Sequence, residues 1–252
     1  MKTRNKALLL MLCAVMLVAA SVLGTMAYLT STDTVENTFT VGSVKITLDE
    51  ADVKLDGTLN SEKRVQENKY HLLPGHTYIK DPTVTVLKDS EDSYVRMIVT
   101  VENFDQLKKA LPMKDTTGNT ITANAKYYGS DGTFLLQMLC LDEDGNSTWN
   151  DKNWKYIPSM ENAEKGVYEF RYVDDNGNSV IAKNAEDDTK LLALFTDITV
   201  PGELDNEGLA YWGGADDNGV IDENKAVKIV VKAHAIQADG FEMAEEAWSK
   251  FN

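Results

Sequence analysis

Three histidines, His71, His76 and His234, are the imidazoles available for metal chemistry in this chain. A zinc hydrolase site of the common kind places two His one helical turn apart with a Glu between them. His71 and His76 bracket Leu72-Leu73-Pro74-Gly75, which contains no carboxylate and whose Pro-Gly excludes a helix. His234 shares its strand face with Lys228 and Lys232, a positive setting that disfavours a divalent cation. The run Asp142-Glu143-Asp144-Gly145-Asn146 opens like a calcium loop, but Ser147 and Asn153 stand where that loop needs Gly and Glu. Residues 174–178, 186–188 and 216–222 are similar acidic, turn-like runs. Calcium at these tips is the one cofactor left open, as a screen between acidic subunits. Cys140 sits in the apolar run 134–141, where a thiol acts as a small hydrophobe. No Gly-x-Ser-x-Gly elbow and no phosphate-binding glycine loop occurs. Trp149, Trp154 and Tyr156 beside Asp151 have the types of a sugar-stacking shelf, although packing is the commoner use of such residues. No catalytic, cofactor-binding or metal-ligating residue is therefore assigned.

The elements that would carry such residues begin with an export signal. Lys2, Arg4 and Lys6 precede an apolar run over 7–24, and Thr25 and Ala27 supply the small residues at the third and first places before a cleavable bond. Residues 1–27 thus read as a signal peptide, with cleavage near Ala27 on one side or the other of Tyr28, and the protein as secreted to the cell surface or extracellular matrix. The 252 residues carry 25 Lys+Arg against 40 Asp+Glu, a formal charge of −15. Loss of three basic residues with the signal leaves 22 against 40, or −18. Such a balance, with no basic stripe, excludes a nucleic-acid partner. Cys13 leaves with the signal, so Cys140 remains alone and no intrachain disulfide forms.

From Thr34 onward the dominant hydrophobic period is two. Val35, Asn37, Phe39 and Val41 alternate with polar neighbours, Gly42 marks a bend, and Val44, Ile46 and Leu48 resume the alternation. Residues 49–70 are polar and charged and read as a loop or a solvated excursion. Strands are expected over 78–87, 94–101, 134–141, 167–173, 179–182, 191–200 and 227–237, with a hairpin at Asn176-Gly177. Short helices are expected at 104–111 and 241–251. The pattern predicts a mainly β fold, an antiparallel β-sandwich of jelly-roll type with a few short helices, over residues 43–252.

Gly24-Thr25-Met26-Ala27-Tyr28-Leu29-Thr30, followed by Asn37-Thr38-Phe39-Thr40-Val41-Gly42, resembles the start of the TasA/camelysin family of Gram-positive bacteria. Leu73-Pro74-Gly75, Lys80-Asp81-Pro82-Thr83-Val84, Tyr94-Val95-Arg96 and Ala235-Ile236-Gln237-Ala238-Asp239-Gly240-Phe241 are similar to clostridial-type members. The resemblance covers both ends and the first strands. It implies processing by a SipW-type signal peptidase and a role as a biofilm matrix fibre subunit. In such fibres the N-terminal segment of one subunit completes a sheet of the next, so the partner is a second copy of the chain. Other matrix or cell-surface components are further partners that the resemblance allows.

The donor segment is then 28–42, with Thr34 favouring extended backbone, Val35, Phe39 and Val41 as pocket-filling side chains, Asn37 in the shared motif and Gly42 at its end. Two other functions stay open: a camelysin-like secreted metalloprotease, against which the missing His/Glu motif counts, and a monomeric adhesin or carbohydrate-binding module.

Overall fold

The computed structural model describes residues 16, 43–110, 113–114, 120–121, 140, 142, 144, 146–159, 162, 165–202 and 204–251. The chain divides into two units, Met1–Val41 and Gly42–Asn252, and the second is described here. Its elements in chain order are β1 (Ile46–Val53), β2 (Leu59–Val65), β3 (Thr77–Ile79), β4 (Thr83–Val86), β5 (Ser93–Glu102) and α1 (Phe104–Ala110). There follow β6 (Met113–Lys114), β7 (Thr120–Ile121), β8 (Trp154–Ile157), β9 (Val167–Tyr172), β10 (Thr189–Lys190) and β11 (Asp197–Thr199). Helix α2 (Asn206–Trp212), a single 3-10 turn (Glu223–Lys225), β12 (Lys228–Gln237) and α3 (Ala244–Lys250) follow among the described residues.

The fold is mainly β: antiparallel sheets curled into a half-barrel, with three short helices. One sheet has the order β10-β4-β1-β2 and the other β12-β5-β9-β8. Both feed one apolar cluster, through Val84 and Val86 of β4, Val95, Met97, Val99 and Val101 of β5, Trp154 of β8, and Tyr168 and Phe170 of β9. The alternation of β5 explains its place, because a period of two sends Val95, Met97, Val99 and Val101 to one face. Helix α1 buries Phe104, Leu107 and Ala110 at helical spacing, and α2 lies close to it, since a Cβ on Gly208 would stand 2.9 Å from Ala110 O. Among the described residues no helix is long and apolar enough to cross a membrane.

Four expectations from the sequence need correction. Residues 49–70 are not a loop: β1 runs on to Val53 and pairs with β2. The polar sequence of β2, Leu-Asn-Ser-Glu-Lys-Arg-Val, hides it, because an edge strand wetted along most of its length shows no alternation. The strand expected over 78–87 is two strands in different sheets, β3 pairing with β11 and β4 with β1 and β10. Pro82 has no N–H to give a ladder, and the chain changes sheets there. The Asn176-Gly177 turn forms, with Asp174 N–H donating to Asn178 O at 2.8 Å, but residues 179–182 do not pair with β9. Ile181 instead bridges to Ser93 of β5. Residues 191–200 keep strand only at β11, and buried Leu191, Leu194 and Phe195 are presented by irregular backbone. Helix α2 goes unseen in the sequence. The strand expected over 134–141 lies outside the described residues save Cys140, which is buried.

The β1–β2 turn depends on one glycine. Gly57 has φ +82°, and a Cβ there would meet Tyr78 Cδ1 at 2.5 Å. Strained backbone and overpacking add, so Gly57→Ala is expected to destabilise by roughly 2–4 kcal/mol. Urea denaturation measures this, and a wild-type midpoint would show that the turn tolerates a side chain.

Candidate functional site

Every residue that the sequence singles out for processing or strand donation, namely Thr25, Ala27, Tyr28, Thr34, Val35, Asn37, Phe39, Val41 and Gly42, lies outside the described residues. Among the described residues, β12 forms a long sheet edge. All ten residues of β12 pair with β5 in unbroken antiparallel register, from Lys228 opposite Glu102 to Gln237 opposite Ser93. Among the described residues no strand pairs with its outer side. A ten-residue edge is about twice an ordinary strand length.

The side chains along this edge are incompletely covered. On the core-facing side of β5, Val95, Met97, Val99 and Val101 are at most 2% exposed. Their neighbours on β12, Ile229, Val231, Ala233 and Ala235, face the same cluster but are only half-buried, as are Ile46 and Leu48 of β1. Strand β1 comes near β12, yet among the described residues no ladder joins them. Residues 46–49 pair with β4, while β2 pairs only with the later part of β1. The result is a half-buried apolar seam between the two sheets, flanked by backbone that no described strand pairs.

The outward face of β12 is basic, with Lys228 and Lys232 exposed. His234 beside them accepts a hydrogen bond at Nδ1 from Arg96 Nε at 3.2 Å. The Arg96 guanidinium lies over Trp248 and Phe251, 4.5 and 4.9 Å from the ring centroids, and His234 packs against Phe251 at 4.9 Å. Glu169 pairs with both Arg96 and Arg171, and Arg171 reaches Glu245 of α3. This layer fastens α3 to the back of the sheet. Burial first, then Arg96 and Lys232, lowers the His234 pKa.

The remaining candidates are placed as follows. His71 and His76 are exposed in the segment before β3. Among the described residues no group of three or more His, Cys, Asp or Glu converges as a metal site. Three acidic loops close in the same way: Asp142, Asp174 and Asp216 each accept two backbone N–H groups at Oδ1, from the residues two and four positions on. Those carboxylates act as turn closures. Trp154 is fully buried and donates its indole N–H to Leu192 O at 2.9 Å, while Trp149 packs on Phe170 and Phe195. Burial raises the pKa of the Cys140 thiol, as expected for an inert sulfur.

One arrangement had no signal in the sequence. Glu50 and Lys80 are both buried, and Lys80 Nζ donates to Glu50 Oε2 at 2.6 Å. Asn68 Nδ2 donates to the other oxygen of the same carboxylate at 2.8 Å. Beside them Arg64 pairs with Asp49 and Asp81, and Asp81 Oδ1 accepts the Ala51 N–H at 2.6 Å.

Comparison of the chain with protein-family models, curated proteins and solved structures gives no match.

The state of His234 sets a pH dependence. Its folded pKa lies below the ordinary 6.5, so between the two values the unfolded chain holds a proton that the folded one does not. Stability from this site is full above pH 6.5 and is lost as pH falls through the folded value. Thermal melts from neutral pH to about pH 5 should show a falling Tm that is flatter in His234→Gln. An unchanged slope in that variant would remove His234 from the account.

Proposed function

We propose that the protein is a secreted structural subunit of extracellular matrix fibres, a β-sandwich of jelly-roll type that polymerises when the N-terminal strand of one copy fills the open edge of the next. The observation that carries this reading is β12: a long edge strand whose core-facing side chains are half covered. An added strand satisfies edge N–H and C=O groups and buries the apolar seam in one step.

Residues 28–42 have the composition this edge requires. Val35, Phe39 and Val41 fall on one face of an extended strand, suited to a seam lined by Ile46, Leu48, Ile229 and Val231. Glu36 falls on the other face, with the threonines. The segment has two carboxylates, Asp33 and Glu36, and no cation, while β12 has Lys228, Lys232 and His234 and no carboxylate. Glu36 and the hydrophobic period thus agree on one orientation of the faces, with Asp33 on the apolar side near the start of the segment. A head-to-tail contact of this kind leaves a free edge at one end and a free donor at the other, so it grows into filaments. The order of residues resembling the TasA/camelysin family supports the same reading, with a SipW-type peptidase freeing the donor.

Protein beginning at Tyr28 is expected to form fibres in negative stain, and protein beginning at Gly42 to elute as a monomer. Glu36→Lys should slow assembly severalfold, since one cross-strand ion pair is worth about 0.2–1 kcal/mol, and Lys232→Glu in the same chain should restore it. Monomers from both starting points would sink the proposal.

A further inference from the structure

The geometry points to an intramolecular amide bond between Lys80 Nζ and the side-chain Cγ of Asn68, formed within the folded chain with Glu50 as the proton carrier. This goes beyond the fibre reading and does not depend on it.

Three contacts in the structure are of the kind that such a condensation uses. The entering nitrogen, Lys80 Nζ, lies 2.6 Å from Glu50 Oε2. The leaving nitrogen, Asn68 Nδ2, lies 2.8 Å from Glu50 Oε1. The carbonyl oxygen where negative charge would develop, Asn68 Oδ1, accepts the backbone N–H of Val53 at 3.1 Å. One carboxylate therefore touches both nitrogens while a fixed donor holds the oxygen. Lys80 gives a proton to Glu50 and its lone pair attacks Asn68 Cγ. Glu50 passes that proton to Nδ2 as the Cγ–Nδ2 bond breaks and takes the second proton from Nζ, so ammonia leaves and Glu50 ends as the neutral acid. The products are the Lys80–Asn68 amide and one ammonia, with no oxidant or further reactant.

The surroundings favour the reaction over a mere ion pair. Glu50 and Lys80 are the only charged residues among the buried side chains described, and burying an ion pair costs more than packing apolar groups in its place. Tyr70, which donates to Ile79 O at 3.2 Å, is half-buried beside the cluster. Its hydroxyl pKa is raised by burial first and then by the charges of Glu50 and Asp81. A site closed to water protects the tetrahedral intermediate and the amide from hydrolysis. The bond would tie the segment after β2 to the point where the chain leaves β3 and changes sheets, in a unit whose one described cysteine is free.

Intact mass of the secreted, processed protein tests the proposal, with its N-terminus fixed by sequencing. The expected mass is the sequence mass less one ammonia, with a tryptic cross-linked peptide containing both Asn68 and Lys80. Lys80→Arg keeps the charge on Glu50 but should restore the full sequence mass, and Asn68→Asp should lose one water instead of ammonia. A wild-type chain at its full mass, with Lys80 cleavable by trypsin, would overturn the assignment. So would an ammonia loss that maps to Asn176-Gly177 with no cross-linked peptide.

Discussion

Strand β5 organises the molecule because both of its edges and its inner face are occupied. Strand β9 takes one edge over five residues and β12 takes the other over ten, while Val95, Met97, Val99 and Val101 sit at the centre of the apolar cluster. Removing four side chains of this size from water accounts for roughly 1.5–3 kcal/mol each, so the register of β5 is fixed by its own alternation. A slip by one residue would turn Arg96 and Thr100 into the core. Once that register is set, β12 is aligned along its length, and its outer edge becomes the margin of the sheet.

That margin is where the fold is unfinished. The same row of side chains is closed over β5 and half open over β12, and the matching row on the first turns of β1 is half open too. Two exposed lysines on β12 discourage indiscriminate pairing, a common protection for sheet edges. They also favour an acidic strand over any other. At the Gln237 end of β12 the back of the sheet is covered by α3, Trp248 and the arginine layer, and toward the other end it exposes Lys228 and Lys232. The two faces of β12 therefore differ, one lined by half-buried apolar side chains of the core row and the other carrying exposed lysines.

Much of this was legible in the sequence where a single pattern dominates. The alternation over 94–101 and 227–237 fixed two strands and their faces, including the company of His234 with Lys228 and Lys232. The helix expected over 104–111 forms as Phe104–Ala110, and the one expected over 241–251 starts three residues later, as Ala244–Lys250. Reading failed where local pattern carries no record of the tertiary context. Strand β2 is polar on both faces because it is an edge. Residues 78–87 look continuous, yet the buried amine of Lys80 and the carboxylate of Asp81 have polar partners that only a change of sheet can bring to them. Glu50, Asn68 and Lys80 meet across separations of 18 and 30 residues, and no spacing rule joins them. The residues expected to donate a strand, Thr34 to Gly42, lie outside the described residues, so the fold shows only the edge proposed to receive them.

The central claim is that β12 receives a strand with the sequence of residues 28–42. Amide hydrogen exchange along Lys228–Gln237, in protein beginning at Gly42, tests it most directly when that segment is added as a peptide. The account predicts that alternate amides of β12, those facing away from β5, slow markedly on addition of the peptide, while the β2 edge is unaffected. Unchanged exchange along β12, or protection appearing at β2 instead, would contradict it.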